Sequence, residues 1–343
     1  MDSLNFRSDF KDDYIFLMTD DTGMFQHSYF GVPNPIYGYT TDDNARALIM
    51  AVMLYERYHE KKYLDLIYRY SLFLLNAQNK DGKFKNFMSY DRRWLEKEGS
   101  EDCLGRCIWA LGFALFSDCT PKGVKAALAN VLKKALPNVA SLEHIRAKAY
   151  SIIGLSFIDD SDSKGLVYDM AQSLCTQYDE HKDGEWKWFE DDVTYCNSVL
   201  PRSLFSAYRI TGDKEFLRVA EESLEFLENI TFKHGYFKPV GCNGWLHKGK
   251  KPAEYDQQPV EACGTVLTYL EGYKATGNEN YKDKAKKCHA WYEGENSKGL
   301  SLIDADTGGC YDGLKDKGIN LDMGAESLIS YVVSFLKMCS IKV

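Results

Sequence analysis

Two adjacent aspartates open the richest polar stretch of the chain, YGYTTDDNARAL over residues 37–48, with Arg46 one helical turn behind them. Paired carboxylates beside a guanidinium suit proton transfer, because the cation holds one acid ionised while a crowded neighbour keeps its proton. Helix starts also favour threonine caps and acidic first turns, so capping accounts for part of the pattern. Successive helical residues point about 100° apart, so the two carboxylates cannot face the same way. The spacing assigns capping and arginine pairing to Asp42, and the ligand-facing role to Asp43.

Four further clusters have the same character: SEDCLGR (100–106), FEDDVTYCNS (189–198), YDQQPVE (255–261) and GINLDMGAE (318–326). A cap explains one acidic residue in each. It does not explain why Arg46, Arg106, Glu261 and Glu326 follow within otherwise apolar helices. Charge inside a core is costly unless paired, so these residues are expected to line a polar funnel. Tyr37, Tyr39, Tyr90, Trp94, Trp186, Trp188, Trp245, Tyr255 and Tyr311 share the same stretches. Carboxylates with aromatic plates suit carbohydrate: rings stack on the C–H faces of sugars while polar groups bond the hydroxyls. Trp186 and Trp188 are two apart, so in an extended chain they share a side.

The elements that must carry these clusters repeat. YERYHEKKYLDL (55–66), YRITGDKEFLRV (208–219) and YKATGNENYKDK (273–284) each close one helix on an aromatic, turn through polar residues and open another. Extending the pattern gives six helices apolar nearly all round, near 42–58, 101–116, 144–158, 197–210, 257–275 and 323–338. Helices of that kind are buried on every side. Amphipathic ones alternate with them near 61–77, 122–136, 165–178, 213–229 and 279–292, with 8–18 available as a sixth. This predicts an all-α chain, an (α/α)6 toroid filling residues 1–343 as one domain. The long connections, 78–100, 179–196, 230–256 and 293–322, all lead into inner helices, so they gather at the N-terminal mouth of the ring and place the site there.

Composition narrows the chemistry. A net charge of −8 without any basic block argues against nucleic acid. No apolar run reaches membrane-spanning length and no signal core follows the N-terminus, so a cytoplasmic protein with ten free cysteines is expected. Cys103 and Cys107 lie one turn apart without further ligands at metal spacing, and neither a metal nor a cofactor is expected.

YTTDDNARAL, SEDCLGR, WKWFEDDVTYCNSVLP, YDQQPVEA, TGGCYDGL and NLDMGAES resemble a bacterial helical-toroid family whose members occur alone or fused behind group 1 glycosyltransferases. In fold the chain is similar to six-hairpin glycosidases and N-acylglucosamine 2-epimerases. The resemblance implies a sugar-handling cleft and places Asp42, Asp43, Glu101, Asp102, Arg106, Glu190, Asn197, Asp256, Gln257, Glu261, Asp312, Asn320 and Glu326 in matching motifs. Cys196 and the segment HIRAKAY (144–150) depart from the family pattern.

The leading expectation is a glycoside hydrolase acting on an oligosaccharide, with Asp43 as general base, Asp102 or Glu101 as general acid and Asp256 in reserve. Residues on different helices leave room for water, which favours inversion. Asp42, Arg46, Arg106, Tyr39, Trp186, Trp188, Glu190, Asn197, Gln257, Glu261, Asp312, Asn320 and Glu326 are the expected sugar contacts. Two alternatives stand beside it. One is a sugar epimerase or isomerase using His27, His234 or His247; the other is a non-catalytic glycan-binding partner of a glycosyltransferase.

Overall fold

The computed structural model describes residues 10–341. The helices among them are α1 (Asp13–Leu17), α2 (Thr41–Tyr58), α3 (Lys61–Ala77), α4 (Glu101–Phe116), α5 (Lys122–Val139), α6 (Ile145–Leu155), α7 (Ser161–His181), α8 (Val199–Thr211), α9 (Lys214–Thr231), α10 (Pro259–Thr276), α11 (Asn280–Ala290) and α12 (Ala325–Ser340). The even-numbered helices α2, α4, α6, α8, α10 and α12 form the inner ring, each packed on the next, and α12 closes back onto α2. Helices α3, α5, α7, α9 and α11 pack outside their hairpin partners. The chain is an all-α (α/α)6 toroid.

Sequence explains which helix goes where. In α2 every residue from Asp43 to Met53 is buried, so no face is left for solvent. Helix α9 buries Phe216, Val219, Ala220, Ser223, Leu224 and Leu227, a single stripe at the spacing of an outer helix. The repeated turns work alike: the N–H groups of Gly212 and Gly277, both at φ 74°, each donate to a tyrosine carbonyl one turn back, 2.8 Å away. That left-handed geometry costs glycine little. His59, at φ 55°, plays the same part after α2. Helices α4 and α6 approach closely because Gly112 faces Gly154; a Cβ on Gly112 would stand 2.0 Å from the Gly154 carbonyl oxygen.

Among the described residues, the expected sixth outer helix near 8–18 is reduced to α1. Residues 8 and 9 lie outside the described residues, and α1 is a five-residue turn. It is held by the Tyr14 N–H on the Thr307 carbonyl and by the Tyr14 hydroxyl on the Met323 carbonyl. A segment that short cannot support itself and is fixed by these tertiary bonds.

Four two-stranded antiparallel ribbons, β1 (Ser28–Tyr29) with β2 (Val32–Pro33), β3 (Tyr39–Thr40) with β4 (Phe87–Met88), β5 (Asp192–Val193) with β6 (Leu246–His247), and β7 (Gly313–Lys315) with β8 (Gly318–Asn320), stiffen the long connections. All lie in segments that lead into inner helices, so they crown one end of the ring. The pairs β3–β4 and β5–β6 tie together separate loops. The opposite end carries only short turns.

Candidate active site

The first turns of α2, α4 and α12 meet at the mouth. Thr40 caps α2, its hydroxyl oxygen accepting the Asp43 N–H at 3.3 Å and its hydroxyl donating to the Asp43 carboxylate at 2.5 Å. Arg46 bridges two acids, reaching Asp43 at 2.6 Å and Glu326 of α12 at 2.9 Å. Arg106 of α4 reaches back to Asp42 at 2.5 Å, lies over the Tyr150 ring of α6 at 5.3 Å, and donates to the Cys196 sulfur at 3.7 Å. Asp42, Asp43, Arg46, Arg106 and Glu326 are thereby brought into one lattice. Its arginines and Asp43 are buried, while the side chains of Asp42 and Glu326 are 17% and 38% exposed and face the opening.

The assignment of capping to Asp42 is corrected: Thr40 caps the helix, and Asp42 pairs with Arg106 of the neighbouring inner helix, whereas Asp43 takes Arg46. A β-region threonine just before the first turn holds the capping position that an aspartate two residues later cannot reach. This division separates the two acids chemically. Burial alone would push Asp42 up, but the Arg106 and Arg46 guanidiniums outweigh it and hold its carboxyl below the usual range. Burial, reinforced by the charge of Asp42, pushes Asp43 up to about 7 against the pull of Arg46 and Thr40.

A second buried acid fixes the neighbouring wall. Glu261 of α10 accepts the backbone N–H groups of Cys196 and Asn197, the latter at 3.3 Å, and the Asn197 side-chain amide at 3.2 Å. Burial pushes it up to about 7, although these donors favour its ionised form. From α6, Arg146 donates to the Tyr195 carbonyl at 2.6 Å and the Thr194 hydroxyl at 3.0 Å, pairs with Glu190 at 2.9 Å, and lies 4.5 Å from the Tyr195 ring centre. Cys196 is thus held with φ at 48°, and burial, which disfavours the thiolate, pushes its thiol up despite Arg106.

Other expected contacts are placed differently. Trp186 and Trp188 do share a side, but that side faces outward onto Phe226 of α9, with ring centres 5.0 and 5.9 Å away, and both are buried. Tyr39 is buried, its hydroxyl on Asp20 at 2.6 Å. Gln257 is fully buried and spent on Trp291, Ser297 and the Glu254 carbonyl. None of these four is open to a sugar. Glu101 accepts the N–H groups of Glu143 and His144 at 2.9 and 2.8 Å, serving the turn into α6. Asp102 accepts the Tyr195 hydroxyl at 2.7 Å on the rim. Asp312 accepts the Gly324 N–H at 2.7 Å beside His27 and is pushed up by burial. Asn320 lies in β8, and Asp256, half-buried before α10, accepts no hydrogen bond on its carboxylate from any described residue. Of the mouth histidines, His247 bonds Asp192 and His234 stacks on Tyr236.

Arg146, Tyr195 and Thr40 are the residues that sequence reasoning did not single out. Arg146 carries the same signal as Arg46 and Arg106, a charge in the first turns of a helix apolar nearly all round. Behind Arg46 the lumen shrinks to a cavity of about 50 Å3 walled by Ile49, Trp109, Arg202, Val199, Leu267 and Ile329, room for water but not for a sugar ring. Room at the mouth for a sugar ring therefore lies above the arginines, among the loops, where Tyr37, Tyr90 and Tyr195 are exposed. Among the described residues no group of three or more His, Cys, Asp or Glu side chains is arranged for a metal ion, and all ten cysteines are free. No helix of the described residues is long and apolar enough to cross a membrane.

No family model matches the chain, and no curated protein matches it by sequence. Solved structures do match by shape. A sugar epimerase from a ruminal bacterium superposes with a TM-score of 0.76 at 13% identity, covering 98% of this chain and 99% of that one. Cellobiose 2-epimerase from Bacillus thermoamylovorans gives 0.73 at 10% identity, covering 96% of each. A GH76 α-mannanase from Bacteroides thetaiotaomicron gives 0.61 at 12% identity, covering 88% of this chain and 86% of that one. The chain shares the toroid fold of epimerases and glycosidases alike.

Proposed function

We propose that the mouth of the toroid hydrolyses a glycosidic bond in an oligosaccharide. The observation that carries this reading is the adjacent pair Asp42 and Asp43 at the mouth, Asp42 on Arg106 at 2.5 Å and Asp43 on Arg46 at 2.6 Å. Against burial the two guanidiniums lower the first acid, and burial beside Asp42 raises the second. Opposite protonation states in neighbouring carboxyls are what glycoside cleavage uses. Asp43 then donates its proton to the leaving glycosidic oxygen as the bond to the anomeric carbon breaks. Asp42 accepts a proton from the water whose oxygen bonds that carbon, and solvent exchange restores both acids. This reverses the role first given to Asp43, because a buried acid with a raised pKa is a better donor than base. The shape matches to a GH76 α-mannanase and to epimerases of sugars support a carbohydrate ligand. Exposed Tyr37, Tyr90 and Tyr195 supply faces for it. The test is a panel of mannosides, glucosides and galactosides: turnover that Asp43→Asn abolishes supports the reading, and no turnover on any of them sinks it. Anomeric proton NMR of the first product distinguishes inversion from retention.

A second reading, sugar epimerisation, draws on His27, which stands beside Asp312 and Gly324 at the start of α12. Solvent deuterium appearing at C2 of a free hexose, and lost in His27→Asn, would establish it instead. Saturable oligosaccharide binding with neither activity would point to a glycan-binding role beside a glycosyltransferase.

A further inference from the structure

The opposite end of the ring holds a larger cavity than the lumen behind Arg46. It has a volume of about 440 Å3, within the roughly 300–1,000 Å3 range of small-molecule sites. Trp109, Phe113, Phe157 and Leu270 form its apolar wall, and Arg202 and Lys337 reach into it. It opens past Phe116 and Lys274, both exposed.

The charges in this cavity are unevenly satisfied. Its two acids are occupied: Glu56 takes the Ser117 hydroxyl, and Glu271 pairs with Arg209 at 2.5 Å and Lys274 at 3.6 Å. Its two innermost cations are not. Arg202 is 8% exposed, its Nε has no partner, and its guanidinium lies 4.9 Å from the Trp109 ring centre without an ion pair to any described residue. Lys337 lies 5.6 Å from the Phe113 ring centre, also without a hydrogen bond or ion pair to any described residue. Burial, then Lys274 and Arg202, push its amine down to about 8.

Helix dipoles do not remove the need for a partner. Lys337 in the last turn of α12 gains from the negative helix end, but Arg202 sits in the first turn of α8, where the dipole opposes a cation. A lysine can shed its proton when buried; an arginine cannot. We infer that this cavity binds a small organic carboxylate with an apolar body, its carboxylate between Arg202 and Lys337 and its body against Trp109, Phe113 and Phe157. A single negative charge fits better than a phosphate dianion, because Glu56 and Glu271 line the same walls.

The test uses the full chain with phenylacetate as probe and 2-phenylethanol as its neutral counterpart, measured by calorimetry. Phenylacetate is expected to bind saturably, about tenfold or more tighter than the alcohol, and Lys337→Met is expected to remove that preference while Lys337→Arg keeps it. Absence of saturable binding, equal binding of the two probes, or a preference unchanged in Lys337→Met would overturn the inference. Should Lys337→Met not fold, the outcome rests on Lys337→Arg and the two probes: loss of the preference in wild type or in that variant counts against it. The site is separate from the mouth acids, so its failure leaves the proposed hydrolysis untouched.

Discussion

At the mouth, the buried arginines Arg46, Arg106 and Arg146 each meet a carboxylate, whereas below them Arg202 in the lumen and Lys337 at the opposite end meet ring faces. The mouth has long ribboned loops and almost no lumen below its arginines; the other end has short turns and a cavity of about 440 Å3. The contrast separates two uses of buried charge. Paired charges fix one another and set protonation states, so their function is intrinsic to the chain. Unpaired ones are an energetic debit that a bound ion relieves.

Breaking the mouth lattice is expected to give the largest effects. Asp43→Asn is expected to lower turnover about 10²–10⁴-fold, measured on whichever glycoside the panel identifies. Wild-type activity is expected to fall as pH rises through about 7, where Asp43 loses its proton, and again at low pH where Asp42 gains one. The sign for stability follows from the same shift. A folded-state pKa raised above the unfolded value favours folding while the group is protonated, so stability is lost as pH rises toward 7. Asp43→Asn is therefore expected to be the more stable protein above that pH, as denaturation midpoints on either side of it would show.

Arg46→Met leaves Asp43 and Glu326 without their shared cation and is expected to cost about 3–5 kcal/mol in urea unfolding. Glu261→Gln sets an amide against N–H donors of the 194–198 loop and is expected to cost about 1–3 kcal/mol. At the other end the sign inverts: Lys337→Met should raise stability by about 1 kcal/mol, because it removes a charge that nothing in the described chain pairs. A loss of similar size there would erase the contrast between the two ends.

The inner helices were legible because burial on every side leaves an unmistakable run. The one expected near 101–116 is α4, and that near 42–58 is α2 with one further residue. Arg46, Arg106, Glu261 and Glu326 stood out as charges inside such runs, and all four meet partners around the mouth. Loop side chains were less legible. Alternation places Trp186 and Trp188 on one side of the chain, but only Phe226, far along on α9, decides that the side is outward. Gln257 likewise looked available until Trp291 and Ser297, brought in by another connection, consumed its amide. Arg202 carries the same local signal as Arg46, and what distinguishes them is the absence of a partner, which is a property of three-dimensional neighbours.

The bond from Arg46 to Glu326 joins positions 280 residues apart, on the first and last inner helices of the ring. During synthesis the acids of α2 therefore emerge long before the residue that completes their charge balance. A ribosome-bound chain lacking α12 carries Asp42 and Asp43 but leaves Arg46 without Glu326 and the ring unclosed. If the proposed hydrolysis holds, a nick that frees α12 is expected to lower turnover, because it breaks the Arg46–Glu326 bond that closes the ring.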